Sequence, residues 1–235
     1  MTSEPAVRSI AQQNSSAVDL VTAEIRRSIL TGALPAGEQF SIRDLARQLG
    51  VSHIPIREAL RRLETQGLVV LKQARSAAVS SLSTHDMESI YSLRLRIEPE
   101  IARESVPHQG AAEVRRLEGL LELSRAEDPE TAWQAHHDFH VALVEPTATE
   151  WDLRILGTLW VAADRYSHLV FDPTTITDEE RQRRYDRHAR LLAFVVQADG
   201  QGLKKELHDH LARNEDEIRE HIAYLERVEA ERSAG

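Results

Sequence analysis

Four histidines keep step with apolar neighbours at helical spacing in a chain without cysteine. His136 and His140 share a face with Trp133, Leu143 and Val144; His188 aligns with Tyr185, Leu192 and Val195; His210 aligns with Leu203, Leu207 and Asn214. Each imidazole is thereby expected to look inward from a helix. Buried imidazoles need partners, and four on the inward faces of one bundle can satisfy each other through a cation. For any one of them alone, a hydrogen-bonded core histidine is the plainer reading. With no cysteine, disulfides, thiolate ligands and cysteine nucleophiles are excluded, so a metal would have to be held by histidine and carboxylate. His137, His168 and His208 lack such placement and read as surface or supporting groups.

A second set of residues suits a different task. After Ser52, which can cap a helix, Pro55 falls in the first turn and Ile56, Ala59, Leu60 and Leu63 turn inward. Ile54, Arg57, Glu58 and Arg61 occupy the opposite side. Just before it, Ser41 and Asp44 form a capping-box pattern, Ile42, Leu45, Ala46 and Leu49 make an apolar stripe, and Gly50 ends the segment where a left-handed residue is needed. Two short helices around a glycine turn, the second exposing arginines, are what a helix-turn-helix offers the major groove.

The elements that must position these residues follow from the rest of the chain. Val18, Val21, Ile25 and Ile29 make a first amphipathic helix, stopped by Gly32 and Leu34-Pro35-Ala36-Gly37. After Gly67, residues 68–71 and 77–81 flank 72–76, which predicts a β-hairpin wing with a basic tip at Lys72 and Arg75. Beyond Leu82 the pattern is helical throughout. Ser83 with Asp86 caps a helix bearing Ile90, Leu93, Ile97 and Ile101 and bent at Pro99, and Val114, Leu117, Leu120 and Leu121 mark another. Asp128-Pro129 opens the His136 helix; Leu153, Leu156, Trp160 and Ala163 follow. Thr177 and Glu180 cap the His188 helix, and Gly200/Gly202 separate it from a long last one. The expected fold is mainly α: an N-terminal winged helix-turn-helix with a small β-hairpin wing over residues 15–82, then an antiparallel all-α bundle over 83–228.

Composition agrees with two folded domains: 235 residues, 41% hydrophobic and 29% charged, exceed one average domain and do not describe a disordered chain. No apolar run nears the ~20 residues of a membrane span, and the polar first residues do not make a secretory signal, so a cytoplasmic protein with no membrane partner is expected. Charge is unevenly divided. Residues 1–83 are net +3 and residues 84–235 net −12, with ten of eleven histidines in the second part.

The stretch ILTGALPAGEQFSIRDLARQLGVSHIPIREALRRLETQGLV resembles the N-terminal domain of the GntR family of bacterial transcription regulators, through Gly32, Pro35-Ala36-Gly37, Leu45-Ala46, Leu49-Gly50-Val51-Ser52, Pro55, Arg57-Glu58-Ala59-Leu60 and Gly67-Leu68. By that resemblance Arg43, Ser52, His53, Ile54, Arg57, Arg61 and the wing around Arg75 are expected to meet double-stranded operator DNA. This chain has His53-Ile54 where the family usually has Arg-Thr, and Ser76 where it has a wing glycine. A histidine offers one good bond where arginine takes guanine bidentately, and an isoleucine touches only a thymine methyl, so a divergent half-site is expected.

Residues from about 85 to 225 resemble the effector domain of the FadR-type branch of the same family, whose metal-binding members carry an acid, then Phe-His three and four residues on, and two later histidines. Phe139-His140, His188 and His210 match; the acid position holds His136, and Asp138 lies about 200° round the helix from it. An all-imidazole set implies a divalent metal, zinc or nickel preferred. Arg94 matches an arginine that commonly faces the effector cavity and would suit a small carboxylate effector; its alternative is an ion pair with Glu98 one turn on. Thr149 stands where the family has an asparagine lining the pocket. The resemblance implies a ligand-responsive homodimeric regulator, more often a repressor, and not an enzyme. The rivals are a metal-dependent hydrolase, which the absence of an HExxH motif disfavours, and a regulator whose metal is structural or is itself sensed.

Overall fold

The computed structural model describes residues 17–72, 76–170 and 177–233, and divides into a unit ending at Ser80 and one beginning at Ser81. In the first, α1 (Ala17–Leu30) buries Val21, Ile25 and Ile29 against α3 (His53–Thr65), whose Ile56, Ala59, Leu60 and Leu63 are fully buried. Between them α2 (Ile42–Leu49) starts where the Ser41 hydroxyl accepts the Asp44 N–H and ends at Gly50, which sits at φ +64 and returns its own N–H to the helix. That left-handed residue turns α2 into α3 in so few residues.

The sheet is larger than the predicted hairpin. β2 (Val69–Lys72) and β3 (Ser76–Val79) pair antiparallel, and β1 (Gln39–Ser41) adds a third strand on the far side of β3, with Gln39 opposite Ala78. Three residues leave no readable alternation, so β1 has no signal in the sequence. The hairpin strands begin at Val69 and Ser76, each one residue later or earlier than predicted.

The second unit contains six α-helices among its described residues: α4 (Thr84–Ser105), α5 (Ala111–Leu123), α6 (Pro129–Val144), α7 (Glu150–Val170), α8 (Asp178–Val196) and α9 (Gly200–Ser233). α4 packs along α9, α5 against α6 and α8, and α7 against α4 and α9. The predicted caps hold: Ser83 accepts from Asp86, Asp128 from Thr131, and Thr177 and Glu180 form a reciprocal box. One core gathers Phe139, Leu143, Leu156, Trp160, Leu191 and Leu207; another gathers Met87, Tyr91, Tyr166 and Ile218.

The α8–α9 junction departs from expectation. Gly200 and Gly202 lie inside the first turn of α9, and the left-handed residue is Ala198 at φ +54. Asp199 accepts the Gly202 N–H at 2.9 Å. Gly202 is required for space rather than for turning, because a Cβ there would strike the Phe194 ring.

Candidate metal centre and nucleic-acid interface

In the first unit, α3 divides cleanly. Its inner side is the core just described; Ser52, His53, Ile54, Arg57 and Arg61 are all exposed, as is Arg43 in the first turn of α2. Ile54 is 75% exposed, an apolar side chain left in water by the opening turn of a helix. Ser52 occupies the N-cap backbone position, and its hydroxyl makes no capping bond. Arg61 is paired to Glu58 at 3.1 Å on the surface, an interaction worth little in water. Arg75 lies outside the described residues.

In the second unit, three helices bring the four imidazoles together. Ring centroids lie 5.0 Å apart for His136 and His140, 4.8 Å for His136 and His188, and 5.4 Å for His140 and His188. Candidate ligand atoms of these three all fall within 4.8 Å of one another. The His210 ring of α9 lies beside them, 4.7 Å from His188 and 5.4 Å from His140, while its nitrogens fall outside the group of three.

What the outer nitrogens touch determines which nitrogens are left for the centre. His140 Nδ1 is 3.1 Å from Glu98 Oε1, and His188 Nδ1 is 2.7 Å from the Arg184 carbonyl; both Nδ1 atoms donate, leaving each Nε2 as a lone pair. Asn214 Nδ2 donates to His210 Nε2 at 3.3 Å, so in this arrangement His210 Nδ1 carries the ring proton. His136 Nδ1, His188 Nε2 and His210 Nδ1 are buried with no hydrogen-bond partner among the described residues. A buried polar atom left unsatisfied costs about 1–3 kcal/mol, so several gathered together fit a cation far better than an ordinary core.

The electrostatics agree. Burial first, then the mutual repulsion of neighbouring imidazoles, pushes His136 and His210 well below the usual histidine range and His188 down to about 3. They are neutral, the form that ligates metal. Glu98 is fully buried; burial works to raise its pKa, but Arg94 and the His140 bond hold it at about 2. It accepts from Arg94 Nε at 3.0 Å, from Trp160 Nε1 at 3.1 Å and from His140. Of the two readings of Arg94, the ion pair with Glu98 is the one seen: its guanidinium is buried and bound to that carboxylate. Thr149 is exposed at the start of α7, where hydroxyl and N–H both engage Asp152.

Two voids border the cluster. One, about 20 Å³, is lined by Trp133, His136, Arg181, Arg184, Tyr185 and His188 among others; the second, about 10 Å³, adds His210, Asn214 and Ser167. Each has room for roughly one water. Arg184 borders both, its guanidinium 5.3 Å over the Trp133 ring; burial, then Arg181 and Arg187, lower it to about 10. Sequence reasoning missed Arg184, Trp160 and the orienting role of Glu98. The first had a signal, because it precedes His188 by one helical turn.

Comparison with known proteins accords with both halves. Residues 18–79 match the family model described as bacterial regulatory proteins, gntR family, and residues 89–213 match the FCD domain. The HTH-type transcriptional regulator Mce2R of Mycobacterium tuberculosis is 30% identical over 218 residues, covering 80% of this chain and 85% of the relative. The HTH-type transcriptional repressor GlaR of Escherichia coli is 23% identical over 195 residues, covering 80% and 89%. The solved structure of E. coli McbR/YncC superposes with a TM-score of 0.75 at 22% identity, covering 88% of this chain and 99% of that one, which is a likeness of fold. With the FCD match spanning more than half its length and the helix-turn-helix match ahead of it, the chain belongs to the GntR family of bacterial transcription regulators, in the FadR-type branch that joins a DNA-binding helix-turn-helix to an FCD domain.

Proposed function

We propose that this regulator is a homodimeric repressor whose operator binding is set by a small carboxylate effector acting at a divalent cation held by His136, His140, His188 and His210. The observation that carries this reading is the convergence of buried imidazole nitrogens that have no hydrogen-bond partner. A bound cation would supply positive charge and a coordination site for an acid group; an all-nitrogen ligand set favours zinc or nickel. The protein's own part is to hold the rings: Glu98 fixes His140, the Arg184 carbonyl fixes His188, and Asn214 fixes His210.

On the DNA side, Arg43, Ser52, His53, Ile54, Arg57 and Arg61, together with the wing around Arg75, are assigned to the operator. The exposed Ser52 at the start of α3, whose hydroxyl makes no capping bond, suits phosphate, and Arg57 and Arg61 suit base edges. Arg94, committed to Glu98, acts by holding that carboxylate in place rather than by meeting the effector, and Thr149 acts as the α7 cap. The carboxylate that contacts the imidazoles is occupied by three donors and is not a general base for hydrolysis, so no catalytic role is assigned.

A mobility-shift titration of the metal-loaded protein on the promoter beside its own coding region tests this. A specific complex that weakens steeply with salt, and whose affinity changes with small carboxylates only while metal is present, is expected. No specific complex at any salt would remove the operator assignment; a carboxylate response unchanged by chelation would detach effector from cation.

A further inference from the structure

Four consecutive residues near the end of α7 touch two different parts of the second unit. Arg165 and Tyr166 meet the chain just after the unit boundary, whereas Ser167 and His168 meet the walls beside the imidazoles. Resting on the reading above that the cluster holds a cation, we propose that Arg165 and Tyr166 are positioning residues that pass the state of the cluster to Ser81–Ser83, the segment through which the second unit joins the first.

The segment is held at each of its three residues. The Ser81 carbonyl accepts from Arg165 Nη2 at 3.4 Å, Leu82 packs against the core of Met87, Tyr91, Tyr166 and Ile218, and the Ser83 N–H donates to the Tyr166 hydroxyl at 3.4 Å. Ser83 is also the cap of α4, its hydroxyl accepting the Asp86 N–H. By helical spacing Arg165 shares its side of α7 with Arg154 and Thr158, both exposed, yet Arg165 is buried where it meets Ser81. A guanidinium is costly to bury, so its place there marks a specific hold. On the other side of the boundary the Ser80 N–H donates to the Leu68 carbonyl at 3.0 Å. The chain is thus hydrogen-bonded within its own unit up to the boundary, and a change in the hold on Ser81–Ser83 is felt there, where a long flexible linker would absorb it.

The next two residues look toward the cluster. Ser167 borders the smaller void together with His136, His188 and His210, and its hydroxyl is 3.4 Å from the Tyr91 hydroxyl of α4, both side chains buried. The His168 ring lies on the Trp133 ring, centroids 3.8 Å apart, and Trp133 is 5.4 Å from the His136 ring on α6. A packed interior carries a displacement rather than absorbing it. A shift of His136 or Trp133 therefore reaches Ser167 and His168, and the same turn of α7 bears Arg165 and Tyr166.

Contact of this kind gives a route; coupling is an energy and is measured as one. If Arg165 and Tyr166 only supported the fold, their loss would weaken the protein alike with and without the cation. A coupling role instead shows as a missing difference between the two states at Ser81–Ser83, with the cluster itself unaltered.

The test is hydrogen–deuterium exchange with mass spectrometry on the full chain, chelated and loaded with zinc or nickel, whichever the wild type retains. The proteins compared are the wild type, Tyr166→Phe, Arg165→Gln and Arg165→Lys. In the wild type the metal should slow exchange in the peptide 81–87 by about fivefold or more. Tyr166→Phe and Arg165→Gln should abolish that difference, and Arg165→Lys, which keeps a donor for the Ser81 carbonyl, should restore much of it. Metal content by mass spectrometry, and metal-dependent slowing in the peptide 133–140 of α6, should match the wild type in all three variants. No metal effect on 81–87 in a wild type that retains the metal, or an undiminished effect in Tyr166→Phe, would overturn the proposal while leaving the cation and operator readings intact. Loss of the α6 effect alongside that at 81–87 would equally overturn it, by making the two residues supports of the cluster. Tyr166→Phe removes a single oxygen, so it decides the matter if Arg165→Gln fails to fold. A wild type that retains neither metal would instead remove the cation reading, and this assignment with it.

Discussion

Glu98 accepts hydrogen bonds from three helices' worth of donors: Arg94 on its own helix, His140 on α6 and Trp160 on α7. Glu98→Gln keeps the shape and removes the charge, leaving the Arg94 guanidinium buried and uncompensated. A loss of about 3–5 kcal/mol in unfolding free energy is expected, read from the urea midpoint, with metal affinity down about 10- to 100-fold by competitive chelation. The imidazoles give a pH prediction for the chelated protein. His188 and His210 have pKa values held below their unfolded range, so the unfolded chain binds protons that the folded one refuses. For His188 the contribution is complete above pH ~6.5 and is lost as pH falls from there toward about 3, at up to about 1.4 kcal/mol per pH unit, and His210 acts in the same direction. Urea midpoints of chelated protein between pH 7 and 5 should fall less steeply in the double variant His188→Gln/His210→Gln than in the wild type. The four imidazoles were legible in the sequence because helical spacing alone places a side chain on a face. The function of Glu98 was not, because Trp160 lies 62 residues away and only packing brings it near.

At the scale of elements, the turn between α2 and α3 and the outer side of α3 are the parts proposed to recognise DNA. Gly50 holds φ +64, where a β-carbon meets the backbone, so Gly50→Ala is expected to lower stability by about 1 kcal/mol or more in denaturant titration. Arg57→Ala removes an exposed side chain from α3 without touching the core. Operator binding by fluorescence anisotropy should weaken by about 1–3 kcal/mol while the urea midpoint stays put; unchanged affinity would exclude Arg57 from the interface. Capped helices read directly from sequence here, because Ser41, Ser83, Asp128 and Thr177 each satisfy a specific amide three residues on. What escaped was set by longer-range chemistry. β1 exists because β3 offers it an edge, and the left-handed turn before α9 falls on Ala198, while Gly202 packs against Phe194.

For the whole molecule, the uneven charge of the sequence matches a division of labour. A unit that carries the exposed arginines of α3 precedes an acidic one in which Arg184 and Arg187 line a void beside the imidazoles. Among the described residues no helix is long and apolar enough to cross a membrane. The central claim is that occupancy of the imidazole cluster governs affinity at the operator. Its most direct test is anisotropy on one labelled promoter fragment with wild type and His140→Ala/His188→Ala, each metal-loaded and chelated, with and without a small carboxylate. The account predicts a carboxylate-dependent change in operator affinity of about tenfold or more that appears only in the metal-loaded wild type. An equal change in the chelated protein or in the double variant, with the fold of both intact, would contradict it.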